Sequence, residues 1–194
     1  MPEFAKAGLR SGGQRMSKLT ITEALAETKT IAKRIEKKQA FINDCLFRIN
    51  AQRDTHEKDG GSAVLIARER QAIGDLEERK VAIRRAIAEA NAKTPVSIGG
   101  KTKSVADWIV WRREVAPGYM QHLATMAQRI QQVRQQALTK GQAIAATPET
   151  AGYTDFVVNI NEADLAKERE TLEETLGILD GQLSLKNATV TIEV

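Results

Sequence analysis

The sequence predicts a mainly α-helical protein, in which an antiparallel coiled-coil-like helical hairpin is followed by further helices and a small β element formed by short C-terminal strands. Three observations lead to this fold class. Apolar residues recur at heptad spacing near the N-terminus. Charged residues make up 28% of the chain and aromatic residues only 4%, which is typical of helices with one apolar stripe and solvated faces. The last residues, ATVTIEV, alternate polar and apolar side chains as a half-buried strand does.

The first element, residues 19–53, carries an apolar seam made of two interleaved rows. One row repeats every seven residues, and the second follows four residues after its members. The rows are Ile21, Thr28, Ile35, Ile42 and Ile49, and Leu25, Ala32, Gln39 and Leu46. The pattern predicts a helix that packs against one partner, and either Thr20 or Thr22 can cap its start.

A polar segment with two glycines, DTHEKDGGSA, ends the first helix and predicts a helix–helix turn. A second helix follows from about residue 62 to residue 91, with seam residues alternately three and four apart. These residues are Ile66, Glu69, Ile73, Leu76, Lys80, Ile83, Ile87 and Ala90. Two similar helices joined by a short polar loop predict an antiparallel hairpin over residues 19–91.

The segment 92–103 joins this hairpin to a third helix at 104–138 and contains Gly-Lys-Thr at 100–102. A phosphate-binding loop with that ending needs a glycine where Pro95 stands, and a buried strand before it. Here a long charged helix precedes the segment. Val96 and Ile98 alternate with polar residues before a Gly-Gly pair, so the segment predicts a β-turn or hairpin instead.

The third helix carries four candidate interface residues. Trp108 and Trp111 lie three residues apart on one helical face, and Arg112 and Arg113 follow them. Trp and Arg are enriched among the residues that dominate binding energy at interfaces. For the Trp pair the sequence favours the alternative, which is packing where the small β element meets the helices. Farther along, Pro117 predicts a kink or a short break in this helix.

The C-terminal segment, residues 155–194, is predicted to fold as strand, helix and strand. DFVVNI has the composition of a strand, and Asn161 can cap the helix that follows it. The apolar stripe of that helix is Leu165, Leu172, Leu176, Leu179 and Leu183. We expect the strands at 155–160 and 188–194 to pair with each other, and the 96–103 segment could join them.

Two segments lack regular patterning. Residues 1–18 form a basic arm, expected to be flexible or an extension upstream of Met16, whose Lys6, Arg10 and Arg15 are further interface candidates. Residues 139–154 are rich in small residues and predict a linker. The 19–138 stretch between them is predicted to be the helical body.

The charges are distributed unevenly. From residue 153 onward there are 9 acidic residues against 3 basic ones, so the remainder of the +4 chain carries a net +10. A basic body with an acidic tail favours self-association or electrostatic docking. The alternative is a set of solvated helix faces whose asymmetry has no role.

The sequence indicates no catalytic residue, cofactor site, metal site or small-molecule substrate. His56 stands among acidic residues in the hairpin turn, but the spacing fits no calcium loop. Cys45 lies near the seam and is expected to pack there. A basic, Gln-rich face at 129–140 could follow nucleic-acid phosphates, yet no aromatic residues for base stacking accompany it. No apolar run approaches the length of a transmembrane helix.

Three stretches resemble a family of small helical proteins, the septicolysin and deflagellation-inducible-protein group. They are KLTITEALAETKTIAKRIE, AIAEANAKTPVSIGGKTKSVADWIVWRRE and LDGQLSLKNATVTIEV. The chain departs from the family pattern at Ala188, where a Trp would follow Asn187, and at Pro117. The resemblance covers about Met16 to Val194 and implies no catalytic residues. Family names refer to cytolysis or cytoskeletal association, and many relatives are phage or prophage products.

Together these features predict a non-enzymatic structural or assembly protein. The specific expectation is a phage virion component, either capsid-decorating, head–tail or tail-associated, with copies of itself or other shell proteins as partners. Its location would be the virion, or otherwise the cytoplasm, since a lone cysteine suits a reducing compartment. The alternatives are a cellular module that binds cytoskeleton or membrane, and a helical nucleic-acid-binding protein, which the sequence favours less.

Overall fold

The computed structural model describes residues 18–49, 51–145, 151–152 and 155–194, so Lys6, Arg10 and Arg15 lie outside the described residues. In chain order the elements are β1 (Lys18–Thr20), α1 (Ile21–Cys45), a 3₁₀ turn (Glu57–Asp59), α2 (Ser62–Lys93), β2 (Pro95–Ile98), β3 (Lys101–Ser104), α3 (Val105–Val110), a π-helical turn (Trp111–Val115), α4 (Ala116–Lys140), β4 (Ile144–Ala145), β5 (Phe156–Val157), α5 (Glu162–Thr189) and β6 (Thr191–Glu193). The mainly α fold class with short strands is therefore confirmed.

The chain divides into two compact units. The first unit contains β1, α1, α2 as far as Ile87, and the C-terminal residues Ala188–Val194. The second unit is Ala88–Asn187, which includes β2 to β5 and most of α5.

In the first unit, α1 and α2 form the predicted antiparallel hairpin. Glu27 pairs with Arg79 at 2.9 Å, and Lys38 pairs with Glu69 at 2.5 Å. From the first pair to the second, the residue number rises by 11 in α1 (27 to 38) and falls by 10 in α2 (79 to 69). Ion pairs at both positions place the two helices side by side in opposite directions.

The start of α1 agrees with the sequence, but its end does not. Thr20 forms a capping box: its side chain accepts from the Glu23 amide, while the Glu23 carboxylate accepts from the Thr20 amide. The helix ends at Cys45 rather than at the predicted residue 53. Because α2 begins only at Ser62, helix beyond Cys45 would have no partner to pack against, and an unpartnered turn is marginal in water.

The buried seam of α1 follows the first predicted row only at Ile21 and Thr28, and it does not follow the second row. Ile21 is buried as predicted, whereas Ala24 and Ile31 are buried where Leu25 and Ala32 were expected, and those two are only half-buried. Positions three and four residues away both lie on the same helical face. The heptad pattern predicted the residue four positions on, but the residue three positions on is buried. The position of the partner helix determines which of these two residues is buried.

Strand β6 pairs with β1, and the predicted pairing of 155–160 with 188–194 is wrong. Leu19 stands opposite Ile192 in an antiparallel ladder, and Ile192 is buried between two exposed neighbours, as the alternation predicted. Strand β5 instead pairs with β4 in parallel, with Ile144 opposite Phe156. Strands of two or three residues carry too little pattern to select a partner, so the tertiary fold selects it.

In the second unit, α3, the π turn and α4 run antiparallel to α5. Two ion pairs and a side-chain hydrogen bond connect them, and these are Arg112–Asp180, Arg134–Glu162 and Tyr119–Glu168. One buried cluster joins the β2–β3 hairpin to α3 and α5, and it consists of Val96, Ile98, Val105, Trp108, Leu179 and Leu183. A second joins α4 to α5, and it consists of Ala116, Leu123, Ile130, Leu165 and Leu172. The predicted leucine stripe of α5 is confirmed, with Leu176 half-buried beside it.

The connections also agree in part with the sequence. Strands β2 and β3 form the predicted hairpin, with positive φ at Gly99 (56°) and Gly100 (75°), as a tight hairpin turn requires. Pro117 does not break its helix. The irregularity falls just before it, in the π turn, where the Ala116 amide donates to the Trp111 carbonyl five residues back. The predicted linker is shorter at its start, since α4 continues to Lys140.

None of the helices in the described ranges is long and apolar enough to cross a membrane.

Candidate functional site

The structure brings the two tryptophans together in the second unit. Their ring centroids lie 5.3 Å apart at an interplanar angle of 89°, an edge-to-face contact. Trp108 is only 2% exposed, and its indole N–H donates to the Val96 carbonyl at 2.9 Å. Trp111 is half-buried. Trp108 is therefore a core residue beneath the β2–β3 hairpin, where the alternative interpretation placed it, and Trp111 is the more accessible of the two.

The local sequence explains this placement. Ser104 caps α3, because its hydroxyl oxygen accepts from the Asp107 amide at 3.1 Å. Starting the helix there places residues 108 and 111 on the same face, one turn apart. That face meets β2 on one side and α5 on the other, as the buried cluster of the second unit shows.

Beside the tryptophans lies a cleft of about 680 Å³, which we call the Trp cleft. Its volume falls within the range of about 300–1,000 Å³ that is usual for ligand sites. Its walls come from the β2–β3 hairpin, the helix that contains the π turn, and one face of α5. The lining residues are Ile98, Gly99, Lys101, Lys103, Trp108, Trp111, Tyr119, Asp164, Lys167, Glu168, Thr171, Leu172 and Thr175.

The polar groups of the Trp cleft are of both signs. Lys103 places its ammonium 5.3 Å from the centroid of the Trp108 ring, within the range of a cation–π contact. The Tyr119 hydroxyl donates to Glu168 at 2.8 Å. This hydrogen bond to a carboxylate, with burial and the negative charge of Glu168, raises the pKa of Tyr119. Tyr119 thus stays a protonated donor, and the cleft offers binding groups around an apolar floor.

The two arginines predicted as interface residues form ion pairs outside the Trp cleft. Arg112 pairs with Asp180 at 2.8 Å, and Arg113 pairs with its neighbour Glu114 at 2.7 Å. Both arginines are exposed, and neither lines the Trp cleft. The four candidates of the third helix therefore do not form one patch, because Trp108 is buried, Trp111 lines the cleft and the two arginines are exposed outside it.

A second feature was missed in the sequence, at the loop end of the hairpin in the first unit. Leu46, Phe47 and Ile49, which we call the tip surface, are 55%, 86% and 65% exposed. Heptad reading had assigned Leu46 and Ile49 to the buried seam. One sequence signal could have revealed them: the row of apolar residues continues beyond Cys45, where α1 ends and α2 no longer lies beside it.

The loop that carries the tip surface is held by Asp54. Its carboxylate accepts from the His56 amide at 2.9 Å, and from the amide and hydroxyl of Ser62 at 2.9 and 2.7 Å. These hydrogen bonds, the backbone donors first, lower the pKa of Asp54 to about 2. Arg48 also donates to the Gln52 carbonyl at 2.7 Å. Phe47 and Ile49 are thus exposed in a loop with defined internal contacts.

His56 and Cys45, which the sequence analysis considered and did not assign to a site, have the following surroundings. His56 packs edge-to-face on Phe41, with ring centroids 5.6 Å apart. Cys45 is half-buried at the last position of α1. Nowhere in the described part of the chain do three His, Cys, Asp or Glu side chains group closely enough to hold a metal ion. Asp54 holds the loop through its hydrogen bonds to His56 and Ser62.

Neither a protein-family model, nor a curated protein, nor a solved structure matches this chain.

Proposed function

We propose that this chain is a non-catalytic assembly protein, and that the tip surface is the contact through which it associates with a second copy of itself. The observation that supports this most directly is the exposure of Leu46, Phe47 and Ile49 in a loop with defined internal contacts. Exposed apolar residues that are grouped, rather than scattered singly, are typical of interaction sites. Burying one such side chain stabilises a contact by about 1.5–3 kcal/mol.

The charges around the tip surface support a second copy as the occupant. The neighbouring positions in sequence carry three basic and four acidic residues: Arg48, Arg53 and Lys58, and Asp44, Asp54, Glu57 and Asp59. Arg53 and Glu57 already pair with each other within the loop. In a two-fold contact the same patch serves both copies, so the basic groups of one copy can meet the acidic groups of the other. An anionic membrane or a nucleic acid would favour a surplus of positive charge.

Within this class we propose a component of a phage particle, with copies of itself and shell proteins as partners. The support for this narrower proposal is the resemblance to the septicolysin group and its phage relatives. The mechanism would be packing of helical faces and docking of mixed-charge surfaces. The corresponding location would be the virion.

The test of self-association is the variant Phe47→Ser/Ile49→Ser, studied by light scattering coupled to size-exclusion chromatography over a range of protein concentrations. We expect a discrete oligomer for the unmodified chain and a dissociation constant at least about tenfold higher for the variant, because two apolar side chains per copy leave the contact. Since both side chains are exposed, the thermal stability of the isolated chain should change little.

The matched control is Val81→Ser/Leu138→Ser, which removes two side chains that are also exposed, at 57% and 74%, but lie outside the tip surface. This control should associate as the unmodified chain does. A strict monomer at every concentration would overturn self-association. Equal weakening in the control would show that the contact lies elsewhere.

A further inference from the structure

The Trp cleft is elongated along α5. The helix contributes residues spaced three and one apart in alternation, so that they share one face: Asp164, Lys167, Glu168, Thr171, Leu172 and Thr175. From 164 to 175 the helix advances about 16 Å, at 1.5 Å per residue. An extended chain of about five residues has the same length, at about 3.3 Å per residue. The cleft is therefore shaped for a short extended segment.

The floor of the cleft is apolar and its hairpin wall is basic. The half-buried Trp111 offers the apolar surface of the floor, and Ile98 and Leu172 lie beside it almost fully buried. This surface suits one apolar side chain of the occupant. The hairpin contributes Lys101 and Lys103 and no acidic residue. Such a combination suits an apolar or aromatic side chain with carboxylates beside it.

The charged residues that line the cleft have a small positive excess, and the positive charges of the hairpin wall are not balanced there by acidic residues. In the part of the chain that the structure describes, Lys101, Lys103 and Lys167 make no ion pair, whereas Glu168 already accepts from the Tyr119 hydroxyl. The lining thus carries three lysines against the two carboxylates of Asp164 and Glu168, a net charge of +1, and two of the lysines lie on the hairpin wall. The electrostatic complement is an anionic ligand with few, spaced charges.

We infer that the Trp cleft binds an extended acidic peptide segment of a partner protein, with an aromatic or aliphatic side chain on the floor and its carboxylates at the lysines. A nucleic acid fits less well, because its phosphates follow at every nucleotide and would meet the carboxylates of Asp164 and Glu168 in the α5 wall. The inference goes beyond self-association through the tip surface, and it concerns residues of the other unit.

The cleft provides its own probe, because the two tryptophans of the chain both line it. Tryptophan fluorescence can be followed while the full chain is titrated with Trp-free pentapeptides blocked at both ends. We would use Glu-Phe-Glu-Phe-Glu, the same peptide with Ala for Phe, and Lys-Phe-Lys-Phe-Lys. We expect saturable binding of the first, binding weaker by about tenfold or more without the aromatic rings, and the weakest binding for the basic peptide.

The deciding variant is Lys101→Glu/Lys103→Glu, which reverses two exposed charges of the hairpin wall. It should lose affinity for Glu-Phe-Glu-Phe-Glu by about threefold per lysine or more and gain affinity for the basic peptide. The matched control, Lys33→Glu/Lys37→Glu, makes the same change of net charge on the exposed face of α1 and should bind as the unmodified chain does.

Three results would overturn the inference: equal binding of the acidic and basic peptides, equal behaviour of the two lysine variants, or tighter binding of a short oligothymidine than of the acidic peptide. The variant Phe47→Ser/Ile49→Ser should bind the peptide normally. If the chain self-associates but binds no peptide, only the inference about the Trp cleft is refuted. If it binds the peptide but does not self-associate, only the proposal about the tip surface is refuted.

Discussion

Aromatic residues occur both in the core and on the surface of this protein. Trp108 was a candidate contact residue and is buried, with its N–H satisfied by the Val96 carbonyl. Phe47 attracted no notice in the sequence and is the most exposed of the large apolar residues in the described ranges. Aromatic character alone does not distinguish a core residue from a contact residue, because the burial of the ring depends on which other parts of the chain pack against it.

At the residue scale, we predict that the hairpin loop loosens in acid as Asp54 is protonated. The folded loop lowers the pKa of Asp54 from 3.8 to about 2, so the folded state favours the charged form. The stabilisation is therefore complete above about pH 4 and is lost as the pH falls through about 2. Amide chemical shifts of His56 and Ser62, followed by NMR between those limits, would report it.

In Asp54→Asn the amide shifts should no longer titrate in this window, while Asp44→Asn, on α1, should leave the titration in place. A midpoint near pH 4 in the unmodified chain would contradict the prediction, since the loop would then provide no preference for the carboxylate.

At the scale of elements, the hairpin is held in register by interhelical ion pairs at two levels as well as by its apolar seam. Glu27–Arg79 and Lys38–Glu69 are each about one-fifth to one-third exposed, so solvent screens them only in part. The spacing of apolar residues predicted both helices, and the short polar loop between them predicted their antiparallel direction. Neither could predict where α1 stops, because that depends on where the partner helix starts.

We predict that Glu27→Arg destabilises the chain by about 1 kcal/mol, because it replaces an attraction with a repulsion opposite Arg79. The double swap Glu27→Arg/Arg79→Glu should recover at least half of this loss, as measured by urea unfolding. Glu36→Arg, on an exposed position of the same helix, is the control and should cost little. No recovery in the double swap would show that the two side chains do not interact in solution.

At the scale of the whole molecule, the chain carries two candidate contacts of different physical character. The tip surface is apolar with charges of both signs around it, and the Trp cleft combines an apolar floor with unpaired ammonium groups. Their chemistry differs enough for ionic strength to distinguish them.

We predict that salt weakens peptide binding in the Trp cleft but not association through the tip surface. Raising ionic strength from about 0.1 M to about 1 M shortens the Debye length from about 10 Å to about 3 Å, which screens the exposed lysines. Burial of apolar surface does not weaken under these conditions. Fluorescence titration and light scattering in the same salt series would measure both. Parallel weakening of the two would mean that the tip contact is electrostatic.

Sequence patterns predicted the helices, the cap at Asn161, the cap of α1 as one of two threonines, the β2–β3 hairpin and the leucine stripe of α5. Each of these rests on interactions within about one helical turn or one hairpin, so neighbouring residues carry the information. The sequence did not reveal that β6 pairs with β1, that α1 ends at Cys45, or that a polar face of α5 lines a cleft. Those features depend on residues far apart in sequence, and a polar helix face has the same pattern whether it meets solvent or a ligand.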